Sequence, residues 1–194
     1  MDDLLHYYRD FLEENWTVNE DTTCFTWFNG CDIQTAASFF GADPRSATPM
    51  TYSDARDEAC AELQSSSRSN VVLFGTADTW NIAVEPYGWE GSDERVIKAI
   101  ASDGDALSVL FTAEAIHRIT YAHNGERLCV LRPLDERDRP MPQALEEHLD
   151  GLLLFGDVIN SDWKASALAL VQRFTGVRLD HEWLRHRHTR YLIQ

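Results

Sequence analysis

The chain has 194 residues, 44% of them hydrophobic, which suffices for a buried core and excludes a wholly disordered protein. Its formal net charge of −15 is uneven: residues 1–62 carry 13 acidic and 3 basic groups, residues 151–194 carry 4 and 6. Such a field repels phosphate backbones and attracts basic proteins, so nucleic acid is excluded as the expected partner, although solubility alone also accounts for an acidic composition.

From the N-terminus, Leu4, Leu5, Tyr8, Phe11 and Leu12 recur at helical spacing and predict a helix over 3–14, capped by Asp2 or Asp3. Residues 22–28, rich in threonine and aromatics, predict a strand. Asp32 then caps a short helix with Ile33, Ala36, Ala37 and Phe40 on one side, closed by Gly41 and Pro44. A polar helix over 51–63 leads to a serine-rich linker, 65–70.

Strands are predicted at 71–75 and 80–85 around a turn near Ala77 and Asp78, followed by a helix from Asp93 to Ala101 and a strand at 107–111. The runs 118–123 and 126–131 flank Asn124-Gly125, the strongest short hairpin signal in the chain. A regular ladder there sets Cys129 opposite Thr120, on the face away from His117 and His123, which disfavours a cysteine–histidine dyad. In the last third, 143–153 reads as a helix through Leu145, Leu149, Leu152 and Leu153. Ser161 caps another with Trp163, Ala167, Leu170, Val171 and Phe174 on one stripe, and Asp180 caps a short terminal helix. The class is α+β: an antiparallel, meander-like sheet flanked by N-terminal and C-terminal helices. It forms a single domain over 1–194, with an acidic helix–strand segment (1–64), a sheet core with one helix (71–132) and C-terminal helices (143–194).

The longest apolar runs, Val71–Phe74 and Leu152–Phe155, fall far short of the roughly 20 residues of a membrane helix. Residues 1–10 lack the basic and apolar regions of a signal peptide, so the expected location is the cytoplasm. Cys24, Cys31, Cys60 and Cys129 have no metal-ligand spacing and read as small hydrophobes. The segment DHEWLRHRH, 180–188, comes close to a zinc-protease helix, but His181 and His186 are five apart where that motif needs four. It reads instead as a basic tail, with Trp183 and Leu184 inward, Arg185, Arg187 and Arg190 solvated, and the acidic first third as its docking surface. No catalytic signature, no metal site and no cofactor fingerprint is found.

The stretch VEPYGWEGS, 84–92, joins a strand to a helix. Pro86 ends the strand, Gly88 and Gly91 admit backbone angles closed to other residues, and Ser92 caps the helix with Asp93 and Glu94 behind it. That leaves Tyr87, Trp89 and Glu90, to which Trp80 and Glu85 are added as candidate binding residues. They serve either a protein interface or a small-molecule cleft, unless the loop is only a turn.

The blocks CFTWFNG (24–30), WNIAVEPYGWEGS (80–92), LSVLF (107–111), ITYAHNG (119–125) and FTGVRLDHEWL (174–184) together resemble an actinobacterial family known only as a domain of unknown function. The resemblance, most specific in the W-x4-E-P-x-G-x-x-G-S block, implies a shared fold and partner type, and no activity. The functional expectation is a non-enzymatic cytoplasmic binding protein, in its sharpest form an immunity- or antitoxin-like inhibitor of a basic partner protein. The alternative is a small-molecule sensor or enzyme with a cleft around Trp80, Glu85 and Trp89.

Overall fold

The computed structural model describes residues 3–63, 70–114, 116–133, 135, 141–156 and 160–194, apart from the side chains of Glu20, Asn160 and Ser161. Most of the linker expected at 65–70 lies outside the described residues. In chain order the elements are α1 (Asp3–Glu14), α2 (Trp16–Glu20), β1 (Thr23–Phe28), α3 (Ile33–Phe39), β2 (Thr48–Met50), α4 (Tyr52–Leu63), β3 (Val71–Ala77) and β4 (Trp80–Pro86). Then come α5 (Glu94–Ile100), β5 (Asp105–Phe111), β6 (Arg118–His123), β7 (Glu126–Leu131), α6 (Gln143–Glu146), α7 (Asn160–Thr175), α8 (His181–Arg185) and β8 (His188–Leu192).

The fold is α+β. One eight-stranded sheet runs β2-β8-β3-β4-β1-β5-β6-β7, and every neighbouring pair is antiparallel. All three sequence segments contribute strands to it. β1 is central and buried along its whole length. Its alternation divides the core: Phe25 and Trp27 face α1 and α7, whereas Phe28 faces α3 and α5. Because β1 is antiparallel to both β4 and β5, those two strands are mutually parallel, and the connection through α5 crosses over β1. The ends of β4 and β5 therefore flank the start of β1, where Thr23 pairs with both Pro86 and Phe111. The candidate loop leaves the sheet there.

Several elements follow the sequence pattern closely. α1 buries Leu5, Tyr8, Phe11 and Leu12. Asp32 caps α3 through the Thr35 amide (2.8 Å). Asn124 and Gly125 form the two-residue turn, with φ of 49° and 77°. Asp180 caps α8 through the Trp183 amide (2.8 Å).

Other expectations are corrected. The helix expected over 143–153 is only α6, after which Leu149, Leu152 and Leu154 are buried from irregular chain. α7 begins at Asn160, which places Ser161 inside its first turn, and it is buried almost all round from Trp163 to Val171 because α1 covers the side turned away from the sheet. The β6–β7 ladder has a bulge at Tyr121/Ala122, so Cys129 pairs with Tyr121 and Leu131 with Ile119. That puts Cys129 on the face from which the regular ladder had excluded it. The tail ends in β8, whose alternation was hidden by its charge. Arg190 is buried, not solvated, and pairs with Glu58 of α4 (Nε–Oε2 2.8 Å). The tail does meet the acidic first third, as a sheet strand. Among its histidines, His181 pairs with Glu14 (3.0 Å) and His188 stacks on Trp183 (3.9 Å between ring centroids).

Candidate functional site at the ends of β4 and β5

Glu85 is the last residue of β4 to face α3 and α5, and its carboxylate is buried. It accepts the Glu90 amide at Oε1 (2.7 Å) and the Gly91 amide at Oε2 (2.8 Å). Burial pushes its pKa up to about 7 against the pull of those two amides. The loop is thus wrapped around one buried acid, and Glu85 has a structural task that the sequence did not disclose.

The glycines have a different role from the expected one. Neither Gly88 nor Gly91 has positive φ; Tyr87 does, at 58°. What they supply is room. A Cβ on Gly88 would stand 2.9 Å from Glu85 Cβ. One on Gly91 would overlap the Thr26 hydroxyl and stand 3.0 Å from Glu85 Oε2. The expected cap is also displaced by one residue: Asp93 caps α5 through the Arg95 amide (2.9 Å). Ser92 instead donates to the Trp89 carbonyl (2.7 Å) and accepts from Arg118 Nη2 (2.6 Å), tying the loop to β6.

With its backbone held in this way, the loop turns Trp89 outward, 40% exposed. Tyr87 is half-buried; its amide donates to the Thr22 carbonyl (2.7 Å) and its hydroxyl to Asp21 Oδ2 (2.8 Å). Burial, and then Asp21, push the Tyr87 phenol up. Arg56 of α4 pairs with the same Asp21 oxygen (2.8 Å) and lies over two rings, Trp16 at 5.5 Å and Tyr87 at 5.9 Å. Trp16 is 60% exposed. A pocket of about 260 Å³ opens between Tyr87 and Trp89, bounded further by Thr22, Leu63, Thr112 and Glu114.

The wall after β5 is fixed too. His117 is buried and its Nδ1 accepts the Thr112 amide (3.1 Å), while Thr112 Oγ1 accepts the Ile116 amide (2.8 Å). Ile116 is 68% exposed. Trp16, Arg56, Tyr87 and Trp89 therefore follow one another across one stretch of surface, and Thr112, whose hydroxyl holds the Ile116 amide, lines the pocket beside them.

Of the predicted site residues, Tyr87, Trp89 and Glu90 share the loop that Glu85 holds. Trp80 does not join them. It starts β4, roughly 16 Å along the strand from Glu85, and packs against Phe174 of α7 (6.0 Å between rings) on the opposite face of the sheet. A cleft around Trp80, Glu85 and Trp89 is therefore not assembled, because an odd spacing on a strand puts two side chains on opposite faces. Sequence reasoning missed Trp16, Asp21, Arg56, Thr112, Glu114 and Ile116. They come from distant segments, and no local pattern marks them.

Chemically, the buried part of the site offers little to a substrate. Cys24 lies beside Glu85 within hydrogen-bonding distance of Ser108 (3.2 Å), and burial pushes its thiol far up. The accessible part offers aromatic faces, hydroxyls and a carboxylate. Among the described residues no group of three or more His, Cys, Asp or Glu side chains could hold a metal ion, and no helix is long and apolar enough to cross a membrane.

Fold and site together define an α+β protein with an exposed aromatic surface at the ends of two parallel-related strands. The chain belongs to the family of unknown function DUF6461, whose profile matches residues 8–192. No curated protein and no solved structure matches it.

Proposed function

We propose that this is a non-enzymatic, cytoplasmic binding protein that docks a basic protein on the face formed by Trp16, Arg56, Tyr87, Trp89 and Ile116, and that it acts there as an immunity- or antitoxin-like inhibitor. The observation that carries the proposal is the composition of that face, with Tyr87, Arg56 and the loop backbone tied down beneath it. Tryptophan, tyrosine and arginine dominate interface hot spots; here Asp21 holds Tyr87 and Arg56, and Glu85 holds the backbone that follows Trp89. Two exposed carboxylates stand beside the patch: Glu114, which lines the pocket, and Asp57, which pairs with Arg56. The −15 field of the whole chain adds long-range attraction for a cationic partner.

The test is affinity capture from the source cells with wild type, Trp16→Ala, Trp89→Ala and, as a control on the β7 edge, Leu128→Ala. The expected result is a basic protein, identified by mass spectrometry, that is released by salt, lost with either tryptophan variant and retained by Leu128→Ala. Retention by all four proteins, or capture of an acidic partner alone, would refute the proposal.

A further inference from the structure

We infer that the pocket between Tyr87 and Trp89 receives an arginine side chain presented by a basic protein, with the guanidinium against the two rings and its charge facing Glu114. The inference rests on the docking reading above and names the chemistry that reading would recognise. At about 260 Å³ the pocket is below the range of small-molecule sites and suits a single long side chain. Among the described residues its lining contains two aromatic side chains, two threonine hydroxyls, one carboxylate and no cation. Glu114 is exposed and pairs with no cation among the described residues. Its charge is therefore available to an incoming one.

The same surface already solves this problem once with its own chain. Arg56 lies over the rings of Trp16 and Tyr87 while its Nε–H donates to Asp21 Oδ2 (2.8 Å). The pocket offers the same combination beside Tyr87, with Trp89 in place of Trp16 and Glu114 in place of Asp21. Both walls are set in advance: the Trp89 turn by the Glu85 carboxylate, and the Thr112–Glu114 turn by His117. Little ordering is left to oppose binding. Arginine is favoured over lysine because guanidinium stacks on aromatic faces and is less strongly hydrated than ammonium.

The experiment titrates the full chain with an acetylated, amidated Gly-Ser-Arg-Ser-Gly peptide and its lysine and citrulline counterparts. The readout is the Trp89 indole N–H resonance, assigned with Trp89→Phe. The arginine peptide is expected to shift that resonance saturably, the lysine peptide to bind about threefold more weakly or less, and the citrulline peptide to leave it unmoved. Glu114→Gln should weaken the arginine peptide roughly three- to fivefold, as the loss of one exposed charge contact implies. Glu13→Gln, on α1, controls for the general field and should change binding less than about 1.5-fold. Equal weakening by the two glutamate variants, or equal response to all three peptides, overturns the inference. If Trp16→Ala and Trp89→Ala abolish partner capture while the arginine peptide leaves Trp89 unmoved, the docking reading stands and this inference falls. If capture survives both variants while the peptide series behaves as described, the docking reading falls and the arginine selectivity of the pocket is upheld.

Discussion

Replacing Gly91 by alanine sets a methyl group against three buried neighbours. It overlaps Thr26 Oγ1, which is fixed by its hydrogen bond to Ser108 (3.2 Å), and it stands 3.0 Å from Glu85 Oε2 and 3.2 Å from Phe40 Cζ. Thr26 and Phe40 are buried in the α3/α5 side of the sheet and have little room to retreat. The loop must therefore lift away from the Glu85 carboxylate. Overpacking of this kind costs about 1–3 kcal/mol, and losing one amide bond to a buried carboxylate about 1.5–3 kcal/mol. The expected destabilisation is about 3–5 kcal/mol, or roughly 6–20 °C in melting temperature for a chain of this size. It is measured by urea and thermal unfolding at pH 8, where Glu85 is mostly ionised. A double-mutant cycle localises the cause. Thr26→Ala alone should cost about 1 kcal/mol, and Gly91→Ala combined with Thr26→Ala should be at least about 1 kcal/mol more stable than additivity allows. A Gly91→Ala protein within about 1 kcal/mol of wild type, or a strictly additive cycle, would refute the account of the loop as a wrap around Glu85.

The pH dependence follows from the same group. Its folded pKa of about 7 lies above the 4.5 of an unfolded glutamate, so between those values the folded protein holds a proton that the unfolded chain has released. Its contribution to stability is complete below pH 4.5 and is lost as pH rises to about 7, by about 3 kcal/mol. Urea melts of wild type and Glu85→Gln from pH 4.5 to 8 should differ by that slope, and parallel curves would disprove it. Trp89→Ala should change stability by less than about 1 kcal/mol and weaken partner binding by roughly 2 kcal/mol or more. Trp80→Ala, by contrast, should cost about 3–5 kcal/mol of stability, because that ring is in the core. Arg190→Ala strands Glu58 at the β8–α4 contact and should cost about 2–4 kcal/mol; Glu58→Ala/Arg190→Ala together should cost less than Arg190→Ala, and the reverse order would show that the pair is not the cause.

What the sequence determined by itself was local. The periodicity of α1, the caps at Asp32 and Asp180, the Asn124-Gly125 turn and the α+β class were legible because each depends on residues within one turn or one strand pair. Even there, a single bulge at Tyr121/Ala122 shifted Cys129 by one partner and reversed its face. The tertiary structure decided everything that depends on segments distant in the chain. The His188–Leu192 segment became a strand because β2 and β3 leave room for it on either side, and Arg190 became buried because Glu58 of α4 meets it. Trp80 and Glu85, close in sequence, were separated by the parity of β4. Tyr87, Trp89 and Glu114 were gathered because β1 inserts between β4 and β5 and brings the ends of those strands together, and Arg56 of α4 links Trp16 to Tyr87. Local patterns reflect hydrogen bonds and rotamers of neighbouring residues, which composition and spacing encode directly. A surface site assembled across a sheet reflects strand order, and strand order is settled only when the whole core packs.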